Sequence, residues 1–307
     1  MPIFVCGTTG TQGGALARAL IAKGTTVHSL TRDPSSAKTA EMKALGVRFW
    51  PGSFDDRPAL EAAIAGTSSI FLNFFPDFND FAANRRQAEL IMSVARAAGV
   101  DQVVYTSGFG AHEPERMGPA WDPSSLVAVF LKSKADIEAD VRAAGFRYYT
   151  ILRPGVFATN FIAPNVRQFG AFASTGVFDT AYRPDTKLPI ITPATLGVFT
   201  AAAVLDPAGF HAKEIDYADE ILTPEQIIAG LSRVSGKKLR TSYQTDVEIE
   251  ATKAANPFVG GQVLTREIWR LVDWNKVRET GLPLSTFEAF LEEYRENVVA
   301  TFAGVAE

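Results

Sequence analysis

The chain has 307 residues, 47% of them hydrophobic and 21% charged. That supplies a sizeable core at a length where one core begins to divide, so one large or two unequal domains are expected and disorder is excluded. The formal net charge is −4 and no run of like charges reaches five residues, which leaves no basic face for phosphates, so direct binding to nucleic acid is not expected. The single cysteine, Cys6, cannot form an internal disulfide and lies in an apolar run where burial is expected. The apolar first residues are too short for a signal h-region or a membrane span and lack a basic flank. The expected compartment is the cytoplasm, with the nucleus also open, and no membrane or metal is expected.

In chain order, Ile3 to Val5 reads as a buried strand and Gly13 to Lys23 as a helix, with Leu16, Leu20 and Ile21 at helical spacing and Gly24 closing it. A second strand follows over Thr26 to Leu30, a helix over Ala37 to Leu45, a third strand over Val47 to Trp50 and a helix over Asp56 to Ile64. Ser69 to Asn73 is the fourth strand, Phe81 to Ala98 a long helix closed by Gly99, and Val103 to Thr106 the fifth strand. Ser124 to Ala144 is the next helix and Tyr148 to Arg153 the sixth strand. Strands alternating with glycine-ended helices predict an α/β fold, a doubly wound parallel sheet covered on both faces.

Beyond Pro154 the rhythm changes. Residues 155–192 are rich in Gly, Pro, Phe and Asn without a clean period and read as loop with short elements. Thr195 to Leu205 resumes a helix and Glu214 to Tyr217 a strand, and Thr223-Pro224-Glu225 opens a helix that stops at Gly236. The remainder reads as mostly helical, with a strand near Leu239 to Tyr243. The expected division is a nucleotide-binding domain over residues 1–155, completed by segments near 190–220. Residues 156–190 and 221–307 would form a smaller, mostly helical lobe for substrate or partner.

The sharpest local signal is Gly7-Thr8-Thr9-Gly10-Thr11-Gln12-Gly13-Gly14, placed after the first strand and opening the first helix. Without Cβ atoms, glycines allow a tight turn, close approach of backbone to a pyrophosphate and close packing of helix on strand, while free N–H groups and the helix dipole favour the anion. The spacing is G-x-x-G-x-x-G, and the strand–turn–helix–strand context makes it a dinucleotide signal. At the end of the second strand stands Thr31-Arg32-Asp33-Pro34. An arginine there accommodates the 2′-phosphate of NADP, whereas an acid binds the ribose 2′-OH of NAD. Arg32 favours NADP(H); Asp33 is the competing feature, and before Pro34 and two serines it also reads as a turn cap.

These residues resemble the NmrA-like family, atypical members of the short-chain dehydrogenase/reductase superfamily. The resemblance rests on the glycine turn, Thr31-Arg32-Asp33-Pro34, Tyr105-Thr106-Ser107, Ser133-Lys134, and Leu152-Arg153-Pro154-Gly155 with Asn160. Leu222-Thr223-Pro224-Glu225 and Gly236-Lys237-Lys238 extend it to about residue 240. It implies a Rossmann domain with NADP across the strand ends, a smaller C-terminal lobe, and one of two functions. Some members are reductases; others are redox-sensing regulators that bind the dinucleotide without turnover and act through a protein partner. The cofactor-binding set expected on this basis is Gly7, Thr9, Gly10, Thr11, Gln12, Gly13, Arg32, Asn73, Lys134 and Pro154.

Reductases of the superfamily carry Tyr-x-x-x-Lys after the fifth strand, with phenol and ammonium at i and i+4 on one helix face. There the lysine lowers the phenol pKa and the phenol delivers the proton. Here the register is Phe130-Leu131-Lys132-Ser133-Lys134, and Phe130 has no proton to give. Ser107 and Lys134 match the superfamily's serine and lysine and are the expected catalytic pair. Under an enzymatic account Lys134 acts directly or through water, aided by Tyr182, His112 or Tyr105. Losing a positioned acid costs about 10²–10⁴-fold, which a quinone-like acceptor could tolerate. Under the other account Phe130 marks a binding protein.

Phenylalanine is over-used, 22 against 7 Tyr and 4 Trp. Phe74, Phe75, Phe78 and Phe81 follow the fourth strand, Phe109 the fifth, and Phe157, Phe161, Phe169, Phe172 and Phe178 the sixth. Ligands of open α/β sheets lie beyond the carboxyl ends of the strands, so these residues predict an apolar cleft for a small aromatic or carbonyl substrate. Phe109, His112, Phe157 and Tyr182 are its expected contacts.

Overall fold

The computed structural model describes residues 1–75, 77, 80–118, 121–253 and 256–306. The chain divides into two compact units, the first made of Met1–Ala111, Phe130–Arg153 and Leu196–Ile215, the second of His112–Val129, Pro154–Thr195 and Asp216–Glu307. The sheet of the first unit is laid down by β1 (Ile3–Val5), α1 (Thr11–Ala22), β2 (Val27–Thr31), α2 (Ala37–Ala44), β3 (Arg48–Pro51), α3 (Arg57–Ile64), β4 (Ser69–Leu72), α4 (Ala83–Ala97), β5 (Gln102–Thr106), α5 (Leu126–Ala143) and β6 (Tyr148–Pro154). Then come β7 (Val156–Phe157), α6 (Phe172–Thr175), β8 (Val177–Thr180), β9 (Leu188–Ile191), α7 (Pro193–Leu205), β10 (Lys213–Tyr217) and β11 (Glu220–Leu222). The chain closes with α8 (Pro224–Ser235), β12 (Arg240–Tyr243), α9 (Asp246–Lys253), α10 (Pro257–Leu264), α11 (Trp274–Glu279), α12 (Phe287–Glu293) and α13 (Arg295–Thr301).

The seven-stranded sheet has the order β10-β6-β5-β4-β1-β2-β3, and β1 to β6 pair in parallel throughout, for example Ile3↔Val27, Phe4↔Ile70 and Val104↔Thr150. This is the Rossmann order 3-2-1-4-5-6 with one strand added beyond β6, and its switch point lies between β1 and β4. β1, β2, β4 and β5 are buried at every residue, so none shows the apolar–polar alternation of a half-exposed strand; the polar His28, Ser29, Ser69 and Gln102 are buried with the rest. Phe4, Ile70, Tyr105 and Ile151 meet Leu60 and Ile64 of α3 and Ile91 and Ala95 of α4 in one core. The helix ends expected at Gly24 and Gly99 are there, both in the left-handed region at φ +74° and +76°, where only glycine avoids the Cβ penalty.

In the second unit the stretch expected to be loop with short elements carries three short strands. β7 pairs parallel with β9, β9 antiparallel with β11, and β8 parallel with β12. Strands of two to four residues are too short to display a period, which is why they escape pattern reading. The placement of the phenylalanines is the larger correction. Phe161, Phe172 and Phe178 are fully buried with Tyr182, Ile227, Leu231, Phe290 and Phe302 in the core of this unit. Their rings pack tilted or edge-on, Phe172 to Phe302 with centroids 5.0 Å apart and Phe169 to Phe178 likewise at 5.0 Å. They therefore build a hydrophobic core and do not line a cleft. Phe74 is likewise core, edge-on to Phe54 in the first unit, and Phe75 is exposed. Phe78 lies outside the described residues. Asp219, buried in the turn between β10 and β11, accepts from Thr192 N at 2.7 Å, from Thr195 Oγ1 and from Ser285 N at 3.0 Å, and so ties three segments of this unit together.

Candidate functional site

α1 starts two residues earlier than its apolar spacing predicts, at Thr11, because Gly10 serves as its N-cap. Gly10 is extended (φ −104°, ψ 178°) and no side chain among the described residues caps the helix, so the N–H groups of the first turn are free to meet an anion. Gly7 turns the chain off β1 at φ +67°, and Gly10 N donates back to Gly7 O at 2.9 Å. Gly13 is the tightest position: a Cβ there would lie 2.4 Å from the carbonyl oxygens of both Cys6 and Gly7. A helix pressed this closely on a strand end, with its N-terminus uncapped, fits the pyrophosphate of a dinucleotide.

The side chains around this turn brace it. Thr8 Oγ1 donates to Ser29 Oγ at 3.0 Å, and Ser29 Oγ donates to Val5 O at 2.8 Å. Gln12 Nε2 donates to Asn73 Oδ1 at 3.0 Å while Thr106 Oγ1 donates to Gln12 Oε1 at 2.5 Å, joining the carboxyl ends of β4 and β5 to α1. Gln12 and Asn73, both expected to hold cofactor, are thus brought together. Thr9 and Thr11 are half-buried on the turn. Cys6, beneath it, is fully buried, and burial pushes its thiol up to about 12 against a small opposing pull from the Asn73 backbone.

Arg32 follows β2 immediately, is exposed, and has no hydrogen bond or ion pair among the described residues. Asp33 is committed to its own turn. Its Oδ1 accepts from Ser35 Oγ at 2.6 Å and Ser35 N at 3.0 Å, which lowers its pKa, and its carbonyl accepts from Thr31 and Thr39. The acid that competes for a ribose is occupied, and the arginine that would meet a 2′-phosphate is free to do so.

β5 and α5 bring Ser107 and Lys134 together. Lys134 is half-buried; its Nζ donates to Ser107 O at 3.4 Å and lies 5.1 Å from the Phe130 ring centroid. Its stem runs under Gly108, where a Cβ would meet Lys134 Cδ at 2.8 Å. Burial lowers its pKa to about 8 while Glu138 pulls it back up. Phe130 keeps the i, i+4 face that a tyrosine would occupy, as a cation–π contact without a proton. Ser107 Oγ and Tyr105 Oη are buried and, among the described residues, make no bond of full hydrogen-bond geometry. Burial and the Glu138 charge raise the Tyr105 phenol, with Ser107 and Arg153 opposing, so Tyr105 stays neutral. Phe109, next along, is buried.

The other expected contacts belong to the second unit. His112 Nε2 lies 4.0 Å from Asp216 Oδ2 and 3.7 Å from Glu113 Oε2, on a cavity of about 430 Å³ whose walls include Arg116, Arg270, Trp274 and Lys276. Tyr182 is buried in the aromatic core, where burial pushes its phenol up to about 12 and a Thr265 contact pulls it slightly down; a phenol so placed is a core side chain. Pro154 is buried at the end of β6 and Phe157 half-buried in β7.

Residues 2–269 match the model of the NmrA-like family. The chain belongs to the NmrA-like family. The NmrA-like family domain-containing oxidoreductase malD of Malbranchea aurantiaca is 26% identical over 270 residues, 81% of this chain and 78% of the relative's. Among solved structures, the NADPH-dependent quinone oxidoreductase QOR2 of Escherichia coli complexed with NADPH is similar with a TM-score of 0.71 and 23% identity, covering 95% of this chain and 99% of that one. Nmra, a negative transcriptional regulator in complex with NAD, is similar with a TM-score of 0.66 and 18% identity over 97% of this chain and 95% of that one. Both structural likenesses speak to the fold.

Sequence reasoning missed the ion network of this NmrA-like chain. Arg153, 1% exposed, donates from Nε to Glu138 Oε1 at 2.7 Å and from a terminal nitrogen to Glu214 Oε2 at 2.6 Å. Arg142 joins Glu138 at 3.0 Å and Glu214 at 2.6 Å. The available signals were the i, i+4 spacings on α5, Glu138 to Arg142, which pair at 3.0 Å, and Lys134 to Glu138.

Proposed function

We propose that the chain is an NADPH-dependent reductase of a small aromatic, quinone or carbonyl compound. The observation that carries this is the Ser107–Lys134 pair: a half-buried ammonium held on the Ser107 carbonyl, beside a buried serine hydroxyl that makes no hydrogen bond of full geometry among the described residues. The dinucleotide supplies hydride when bound. Its pyrophosphate would rest on the uncapped start of α1 over Gly7, Gly10 and Gly13, with Arg32 taking the 2′-phosphate, and the names of the relatives support the reading. Asn73 and Gln12 hold the turn in shape. Lys134 Nζ, charged below about pH 8, places positive charge and one proton near an acceptor oxygen, and Ser107 Oγ adds a hydrogen bond to the same oxygen. Phe109, His112 and Phe157 are the proposed substrate contacts; the setting is the cytoplasm. Among the described residues, no helix is long and apolar enough to cross a membrane.

A second reading is favoured by Phe130: a non-catalytic NADP(H)-sensing regulator acting through a protein partner needs no proton donor at that position. Loss of NADPH absorbance against a panel of quinones, azo compounds and aromatic ketones separates the two. A reductase consumes NADPH with at least one acceptor, and Lys134→Ala slows it by about 10²–10⁴-fold. Tight NADPH binding with no oxidation by any acceptor, unchanged in Lys134→Ala, would overturn the reductase reading in favour of the sensor.

A further inference from the structure

Lys134 pays for its place with lost hydration: a buried ammonium tends to shed its proton. Its contacts are a carbonyl at 3.4 Å and an aromatic face at 5.1 Å, neither of which carries a formal charge. The opposite charge nearest in influence is Glu138, one helical turn on along α5, whose field raises the lysine pKa. Glu138 is 1% exposed, and a carboxylate so buried needs pairing and hydrogen bonds to offset its lost hydration. Arg153 provides that through two nitrogens, and Arg142 adds a third bond. Arg153 is in turn shared with Glu214 of β10, which Arg142 also binds. The titratable groups gathered here are therefore Lys134, Glu138 and Arg142 from α5, Tyr105 from β5, Arg153 from β6 and Glu214 from β10. Tyr105 is neutral, the two arginines and two glutamates balance, and Lys134 is the odd cation.

We infer that Glu138 is a positioning residue of this site: locked by Arg153, it keeps the Lys134 ammonium charged at neutral pH without touching the substrate or the dinucleotide. The inference rests on the reading of Lys134 as the working cation, and goes beyond it in assigning the Glu138–Arg153 pair to the site rather than to the core alone.

The direct test is a titration of Lys134 in the full chain, needing neither cofactor nor substrate. Lysines are dimethylated with ¹³C-formaldehyde, which preserves their charge, and the Lys134 resonance is assigned by its absence in Lys134→Arg. In Glu138→Gln the Lys134 pKa is expected to fall by about one to two units, the size expected for charges roughly 6–12 Å apart at an effective dielectric constant of about 20. Glu138→Asp is expected to recover most of it. Because Glu138→Gln strands a buried arginine, the paired variant Glu138→Gln/Arg153→Met is measured alongside; it removes an anion and a cation whose fields on Lys134 oppose each other, so a smaller shift than in Glu138→Gln alone is expected if the carboxylate is the cause. An unchanged Lys134 pKa in the folded variants overturns the inference. In turnover assays the alkaline limb of the pH profile moves to lower pH by the same amount. A shifted Lys134 resonance in a chain that oxidises NADPH with no acceptor upholds the coupling and overturns the reductase reading instead.

Discussion

Gly13→Ala is the most direct probe of the dinucleotide cradle. The new methyl would sit 2.4 Å from two carbonyl oxygens, Cys6 O and Gly7 O, and 2.5 Å from Gly7 C, where ordinary contact begins at 3.4 Å. All three atoms are backbone at the end of a buried strand, so no side chain can swing aside, and α1 must retreat by about 1 Å. Overpacking of this kind costs roughly 1–3 kcal/mol of folding stability. The retreat also carries the first-turn N–H groups away from a bound pyrophosphate. Charge-assisted hydrogen bonds are worth about 1.5–3 kcal/mol, so the dissociation constant for NADPH should rise by about 10–100-fold. Urea unfolding followed by tryptophan fluorescence gives the first quantity, and NADPH fluorescence titration the second. Gly261→Ala, in α10 with nothing within 4 Å of the added methyl, is the control and should stabilise by up to about 1 kcal/mol. Wild-type stability together with wild-type NADPH affinity in Gly13→Ala would refute the close-packed cradle.

Arg32→Ala should weaken NADP(H) at least tenfold and leave NAD(H) nearly unchanged, since only the 2′-phosphate calls for the guanidinium; equal losses in paired titrations would sink that assignment. Burial pushes Glu214 up, but the Arg142 and Arg153 guanidiniums more than reverse this and bring it to about 2 from 4.5. A folded pKa below the unfolded one adds stability that is present above about pH 4.5 and is lost as the pH falls toward 2, here about 1–2 kcal/mol once solvent screening of this partly exposed carboxylate is counted. Urea unfolding across the acid range should therefore show Glu214→Gln less pH-sensitive than wild type. Asp219→Ala leaves the Thr192 N–H and the Thr195 hydroxyl without their acceptor, while Ser285 N keeps Thr195 Oγ1 at 3.0 Å, and should cost about 3 kcal/mol in urea unfolding.

The parallel sheet was legible because each of its strands is separated from the next by a helix long enough to show a period, and because glycine marks where those helices stop. The cradle was legible for the same reason: three glycines at a strand–helix junction have few other uses. Phenylalanine misled, since an aromatic count cannot distinguish a cleft from a second core. Phe161, Phe172 and Phe178 proved to be the latter once β8 and β9 folded them inward. The Glu138–Arg153 pair was invisible because residues fifteen positions apart, on a helix and a strand, meet only after the sheet exists. Phe130 was visible as a missing phenol, but its contact with the Lys134 ammonium required coordinates.

The burial of Cys6 under the glycine turn gives the chain an internal clock. A thiol whose pKa is pushed to about 12 and that has no exposed surface is inert to an alkylating reagent until β1 and the turn above it part. Because it is the sole cysteine among 307 residues, the rate at which the native protein takes up one alkyl group measures how often that segment opens. A dinucleotide seated on the same backbone should slow that rate in proportion to its own occupancy, so the thiol reports binding from beneath.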